Sequence, residues 1–279
     1  MNTLILGGEG FIGRTICKQV EGVLKCISIS RRPSKFRLDT DLSQLVVGDP
    51  YKDNLSTLEF ECVIHLIDNR DSSYELEKDE TALINNIRMS QCKFLVLVSS
   101  AAVYTKPQSP YSQRKKFLES FYEGYCENNG IKLCIVRIFN VFGPYQIPYV
   151  QGSFVANIFS NYLMGKETLI HNAATKRDYI FSEDVARVID RIIASKYEGI
   201  VDLGEGHLMR LGDIVRAIEV EVLQSNLLTR IGGETECVVC PAAKLNAVMD
   251  DFEFTPRTEA LKKTYKFYLE HRDYLNRLV

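Results

Sequence analysis

The chain has 279 residues, of which 46% are hydrophobic and 25% charged, with a formal net charge of -2. That length allows about two average domains, or one α/β domain carrying a smaller lobe, and the composition is that of a chain able to bury a core. Because Lys and Arg nearly balance Asp and Glu, nothing in the global charge favours nucleic acid or an anionic membrane surface, so an anionic ligand has to be met locally.

No apolar run approaches the ~20 residues that cross a bilayer, and residues 4–6 lead straight into glycines. No secretory segment is read, and the expected location is cytoplasmic. The eight cysteines lie mostly inside apolar segments, where a free Cys behaves as a small buried hydrophobe, so reduced thiols are expected. Cys237 and Cys240 form a C-x-x-C without the further Cys or His ligands of a zinc site, and no metal is expected.

In chain order, short apolar runs at 3–6, 25–30, 44–47, 62–66, 94–99 and 132–138 alternate with longer amphipathic stretches. Parallel strands need a crossover, usually helical, to return the chain, so this alternation predicts βαβ units and an α/β fold. The dinucleotide-binding domain is placed at 1–145, with returning segments near 175–204. Residues 153–163 read as a helix, 178–180 and 199–203 as short strands, and 259–278 have helical spacing. Residues 146–279 are thus mainly a second, interleaved lobe.

The first run opens into Gly7-Gly8-Glu9-Gly10-Phe11-Ile12-Gly13. A tight turn needs Gly7, close backbone approach to a pyrophosphate needs Gly10, and packing of helix on strand needs Gly13. Phe11 and Ile12 start an apolar helix against the same ligand. The context of strand, glycines and helix at the head of a βαβ pattern points to a dinucleotide.

Some 20 residues past such a loop an acid takes the ribose hydroxyls, whereas Arg accommodates a 2′-phosphate. The second run ends Ser30-Arg31-Arg32-Pro33, with no acid. Arg31 and Arg32 therefore predict NADP(H) over NAD(H), against the plain alternative of a solvated loop. Gly48-Asp49 follows the third run, where the Asp49 carboxylate can accept from an adenine amine or simply close a turn.

After the run at 94–98 come Ser99 and Ser100, and then Tyr111-Ser112-Gln113-Arg114-Lys115 at a helix start. Tyr111 and Lys115 are i and i+4 and share a face that Leu118 and Tyr122 continue; the helix should stop near Asn129-Gly130. A phenol has an ordinary pKa of ~10, and a neighbouring ammonium favours its phenolate. A hydroxyl such as Ser100 can hold a carbonyl or alkoxide oxygen near the Tyr111 oxygen.

Together these segments resemble the extended short-chain dehydrogenase/reductase family, in its NAD(P)-dependent sugar-nucleotide epimerase/dehydratase/reductase branch. The matching segments are the glycine loop, Val63-Ile64-His65-Leu66, Ser99-Ser100-Ala101-Ala102-Val103-Tyr104, Tyr111 with Lys115 and Glu119, 137–144 and 177–184. The resemblance implies a Rossmann-type doubly wound parallel sheet with a smaller C-terminal substrate lobe. It implies Ser100 and Tyr111 facing substrate, Lys115 on the nicotinamide ribose, Leu66 beside the cofactor, and Asn140 and Arg177 on a nucleotide sugar's diphosphate. Arg177 also suits phosphate by its guanidinium fork, the alternative being a salt bridge with Asp178 or Glu183. A homodimer through residues 113–128 is a further implication.

Three features depart from the family pattern. Ten residues separate Ser100 from Tyr111, which clips the loop over the substrate. Ala101-Ala102 stand where dehydratases carry an Asp-Glu pair, so elimination of water lacks its acid and base. Asn85 and Asn86 are the candidates for the family's helical Asn. His65, in an apolar strand, reads as a packed, hydrogen-bonded histidine; His171 and His207 fall near the expected substrate lobe. The first reading is an NADPH-dependent reductase of a keto group, at C4, on a nucleotide-linked deoxysugar. The alternatives are an epimerase that recycles a bound nicotinamide, and a non-catalytic dinucleotide-binding protein, which would not need the Tyr111 phenol.

Overall fold

The computed structural model describes residues 2–19, 26–30, 45–68, 75–150, 153–231 and 247–275. Arg31, Arg32, Cys237 and Cys240 lie outside the described residues. In chain order the elements are β1 (Thr3–Leu6), α1 (Phe11–Gln19), β2 (Cys26–Ser30), β3 (Leu45–Val47), β4 (Cys62–His65), α2 (Leu76–Asn86), β5 (Phe94–Ser100), α3 (Pro110–Asn129) and β6 (Lys132–Ile138). There follow β7 (Asn140–Phe142), α4 (Phe154–Leu163), β8 (Thr168–Ile170), β9 (Lys176–Arg177), β10 (Tyr179–Phe181), α5 (Ser182–Ser195) and β11 (Gly199–Leu203). The last are β12 (Met209–Arg210), α6 (Leu211–Ala217), β13 (Thr229–Ile231), α7 (Arg257–Glu270) and α8 (Arg272–Leu275).

The main sheet has seven strands in the order β11-β6-β5-β4-β1-β2-β3. From β3 to β6 every neighbouring pair is parallel. The fold is therefore the expected α/β, Rossmann-type doubly wound sheet, and its strand order reverses between β1 and β4, the point at which such sheets open a crevice for ligands. Both faces are covered, so strands such as β1 and β4 are continuous apolar runs, with Leu4, Ile5, Leu6, Val63 and Ile64 at 0% exposure.

Local chemistry sets the element ends. At α3 the Ser109 hydroxyl accepts from the Ser112 N–H at 3.1 Å, Pro110 opens the first turn, and Gly130 closes the helix at φ 64°. Each satisfies or dispenses with an orphan group of the helix end. The buried face of α3 carries Lys115, Leu118, Glu119, Tyr122 and Cys126.

The chain divides into two compact units, residues 1–138, 185–202 and 246–248 against 139–184, 203–245 and 249–279. The sequence reading sets the first boundary at 145; the compact unit ends at Ile138 because β7 pairs in parallel with β10 rather than with the main sheet. The second unit holds two further short pairings, β8 with β13 and β9 with β12, around a core that includes Phe159, Phe181 and Tyr268. Tyr268 lies wholly buried and burial pushes its phenol far above the ordinary range. The tail, read with helical spacing over 259–278, is helical as α7 and again as α8, residues 276–278 lying outside the described residues, and the two helices are broken at His271. There the backbone N–H donates to Phe267 O at 3.1 Å and Nδ1 lies 2.7 Å from the same oxygen.

Among the described residues no helix is long and apolar enough to cross a membrane, and no three His, Cys, Asp or Glu side chains group as metal ligands.

Candidate functional site

The glycine loop leaves the C-terminal end of β1. Gly7 sits at φ 89°, where a side chain is strained, and its carbonyl accepts from the Gly10 N–H at 3.0 Å. A Cβ on Gly13 would lie 2.6 Å from Gly8 Cα and would also strike the Gly7 carbonyl. Helix α1 can approach β1 this closely with hydrogen alone at Gly13. The tight turn and the helix start with Phe11 and Ile12 in its first turn thus fit a dinucleotide's pyrophosphate, which the residues of the loop would hold on backbone N–H groups. Glu9 and Arg14 form an ion pair across this loop at 2.5 Å, both nearly buried.

Next to the loop is the end of β4. The Leu66 N–H donates to Leu6 O at 3.0 Å, and the space around Gly7 is bounded by Ile67, so Leu66 stands at the switch point. One residue earlier, His65 is packed and hydrogen-bonded as its apolar strand predicts: Nε2 lies 3.2 Å from Glu80 Oε2. Glu80, wholly buried on α2, accepts from Tyr122 Oη at 2.6 Å and Tyr51 Oη at 3.1 Å. Three elements of unit 1, β4, α2 and α3, and the turn at Tyr51 therefore meet on one carboxylate. Sequence reading missed Glu80 because α2 is polar in composition; the buried His65 beside it is the signal that a partner was needed.

Asp49 closes a turn, its Oδ1 accepting from the Tyr51 N–H at 3.1 Å. Asn86, at the end of α2, donates from Nδ2 to Pro50 O at 3.0 Å.

The hydroxyl and the phenol come from β5 and α3. Ser100 is the last residue of β5, and its Oγ accepts from the Ala102 N–H at 3.2 Å, capping a 3-10 turn over Ala101–Tyr104. Helix α3 packs on β5 and on that turn. Lys115 is buried and donates from Nζ to Val98 O at 3.2 Å, while its Nζ stands 5.9 Å from the Tyr111 ring centroid. The i, i+4 spacing thus puts an ammonium beside the phenol. A second cation is there too: Arg114 Cζ lies 5.6 Å from the same ring centroid, with Nε and Nη2 both 3.1 Å from Asp68 Oδ1. Sequence reading singled out neither Arg114 nor Asp68, since a helical Arg ordinarily reads as solvated.

Behind Ser100, Ser99 donates to Glu119 Oε1 at 2.5 Å. Glu119 also binds Arg137, Nε to Oε1 at 3.0 Å and Nη2 to Oε2 at 2.6 Å. Arg137 reaches on to Tyr104 Oη at 2.7 Å, and that hydroxyl donates to Asp202 at 2.8 Å. Burial and the Asp202 carboxylate push the Tyr104 phenol above its ordinary value, and the Glu119 carboxylate holds Arg137 firmly charged.

In the second unit Asn140 starts β7, and both its backbone N–H and Nδ2 donate to Asp178 O at 3.0 Å. Arg177 ends β9, half-buried, with Nη1 donating to Lys176 O at 2.9 Å. The two residues thus flank one peptide segment. The Asp178 carboxylate accepts from the backbone N–H groups of Glu205 and Gly206 at 2.9 and 3.0 Å, and Glu183 pairs with Lys263 at 3.0 Å. His207 Nε2 lies 2.7 Å from Arg257 Nη2 and 3.3 Å from Glu205, whose carboxyl burial pushes upward. His171 is exposed at the end of β8.

Comparison with known proteins agrees with this architecture. Residues 3–204 match the NAD dependent epimerase/dehydratase family. The chain is 25% identical to an uncharacterized protein of Methanocaldococcus jannaschii, covering 99% of each. It is 24% identical to UDP-2-acetamido-2,6-beta-L-arabino-hexul-4-ose reductase of Pseudomonas aeruginosa, over 73% of this chain and 52% of that one. In fold it is similar to UDP-glucose 4-epimerase of Thermus thermophilus, solved in complex with NAD, at a TM-score of 0.81, with 19% identity over 96% of this chain and 99% of that one. The glycine loop at the switch point and the match over 3–204 lead to the same conclusion: this chain is an enzyme that belongs to the NAD dependent epimerase/dehydratase family.

Proposed function

We propose that the protein is an NADPH-dependent reductase of a keto group, at C4, on a nucleotide-linked deoxysugar. The observation that carries the chemistry is the pairing of Tyr111 with Lys115 on one turn of α3, bonded through Lys115 to the strand that ends in Ser100. When bound, a reduced nicotinamide would supply the hydride that the carbonyl carbon takes up. Tyr111 gives its phenolic proton to the carbonyl oxygen, so C=O becomes CH–OH and a phenolate remains. The Lys115 ammonium stabilises that phenolate and takes the nicotinamide ribose, while Ser100 holds the oxygen as charge develops on it.

In this reading Gly7, Gly10, Phe11, Ile12 and Gly13 hold the pyrophosphate, Leu66 packs beside the cofactor, and Asp49 accepts from the adenine amine. Arg31 and Arg32 take the 2′-phosphate, which is the reason to prefer NADP(H) over NAD(H). Asn140 and Arg177 meet the substrate diphosphate. The enzyme works in the cytoplasm as a homodimer formed through residues 113–128. Reduction is favoured by the arginine pair, since an NADPH preference suits net consumption of reductant, and by the likeness to a hexul-4-ose reductase.

The fold likeness to an epimerase supports a second reading, in which Tyr111 acts first as base and a bound nicotinamide is recycled. Mixing the enzyme with NADPH and a 4-keto-6-deoxy sugar nucleotide, while nicotinamide absorbance is followed, separates the two. Stoichiometric loss of NADPH is expected; interconversion of sugar epimers without net loss of cofactor overturns the reductase. Titration should show NADPH binding at least ~10-fold tighter than NADH, the value of one good charge-assisted contact, and tighter NADH binding removes Arg31 and Arg32 from the role.

A further inference from the structure

Glu119 takes no part in the chemistry above, yet it stands one helical turn beyond Lys115 on the buried face of α3. The residue is 6% exposed. It accepts from Ser99 Oγ at 2.5 Å and from Arg137 at 2.6 and 3.0 Å, and Arg137 lies opposite Ser99 in the register of β5 with β6. With Tyr104 and Asp202 these bonds run across the ends of β5, β6 and β11.

The reacting groups come from two elements: Ser100 from a strand, Tyr111 and Lys115 from a helix. Successive strand residues turn to opposite faces, so a bond that anchors the Ser99 hydroxyl to the helix fixes the backbone from which Ser100 turns the other way. Lys115 adds a tie one residue earlier, at Val98 O. A helix that slid along the sheet would break both. We propose that Glu119, clamped by Arg137, is a positioning residue that acts through Ser99 to hold Ser100 in register with Tyr111 and Lys115. This rests on the hydride-transfer reading above. Geometry is where such a residue shows its effect, since a displacement near 1 Å at reacting atoms costs on the order of 100-fold in rate.

The test uses full-length Ser99→Ala, Ser99→Thr and Glu119→Gln beside the parent. Ser99→Ala removes one hydroxyl and leaves the Glu119–Arg137 ion pair whole, so folding survives even if Glu119→Gln does not. Rates are expressed per site that binds NADPH, measured by nicotinamide fluorescence, which discounts any unfolded fraction. Ser99→Ala should lower kcat ~10–100-fold with KM and NADPH affinity within about twofold of the parent, and Ser99→Thr, which restores a hydroxyl, should recover most of it. Parental kcat per site in Ser99→Ala overturns the proposal, as does a loss that Ser99→Thr does not repair. A parent enzyme that neither reduces nor epimerises any sugar nucleotide instead overturns the hydride-transfer reading, and the positioning role falls with it.

Discussion

In the proposed reading a single phenol separates an enzyme from a binder. Tyr111 stands with two cations within 6 Å of its ring centroid, an arrangement that favours its phenolate. Tyr111→Phe keeps the ring and removes the proton. It should cut turnover at least ~100-fold, as loss of a general acid does, while calorimetry shows dinucleotide affinity unchanged; a variant as fast as the parent would strip Tyr111 of its role. The cysteines give the opposite expectation. Burial pushes Cys92, Cys126 and Cys134 up to about 12, and the thiolate is the nucleophile, so at pH 8 roughly one molecule in 10⁴ carries it at any of these sites. Iodoacetamide on the native protein at that pH should leave all three unmodified by mass spectrometry, with labelling appearing only on unfolding. Stoichiometric labelling of a native sample would contradict that placement.

At the scale of elements, what the sequence makes legible is what neighbours in the chain decide. The start of α3 at Pro110 and its end at Gly130 follow from Ser109, Pro110 and Gly130 acting on their own turns, and the strands of the main sheet fall within one residue of the apolar runs. Glu80 escapes such reading, because its partners His65, Tyr51 and Tyr122 come from three other segments. Strand β10 falls within one residue of the run read at 178–180, whereas β7, β9 and β12 escape such reading as well, two or three residues being too few to show a period. The same holds for the π-helical turn at Ile218–Leu223 after α6. Of the site, the glycine loop, Ser100, Tyr111 and Lys115 are legible as local motifs, whereas Asp68 and Arg114 are not, being joined only by folding. Glu80→Ala would remove the carboxylate on which a histidine and two phenols converge in the core. It should cost about 3 kcal/mol or more, read as a lower urea midpoint at unchanged slope. A change within about 0.5 kcal/mol would mean the cluster contributes little to the stability of unit 1.

For the whole molecule, the chain's route matters as much as its sites. Residues 185–202 return to the first unit, bringing most of β11 to the open edge of β6 along with the buried residues Val185, Val188, Ile189 and Ile192 of α5. A fragment ending at residue 138 would therefore expose β6 as a bare edge and lack that apolar helix face. Such a fragment should show no cooperative thermal transition and no dinucleotide binding, although it contains the entire glycine loop. A fragment that folds and binds would make the first unit autonomous.

That route also fixes a timetable. On the ribosome β6 is complete roughly 60 residues before β11 has been made, and at about 5–20 residues per second the edge waits several seconds for its cover. During that wait the nascent chain displays β6 with one edge unpaired, its neighbour on that side not yet translated. Yield of native enzyme should accordingly depend on elongation rate and on chaperones that bind nascent chains, independently of how stable the finished protein is.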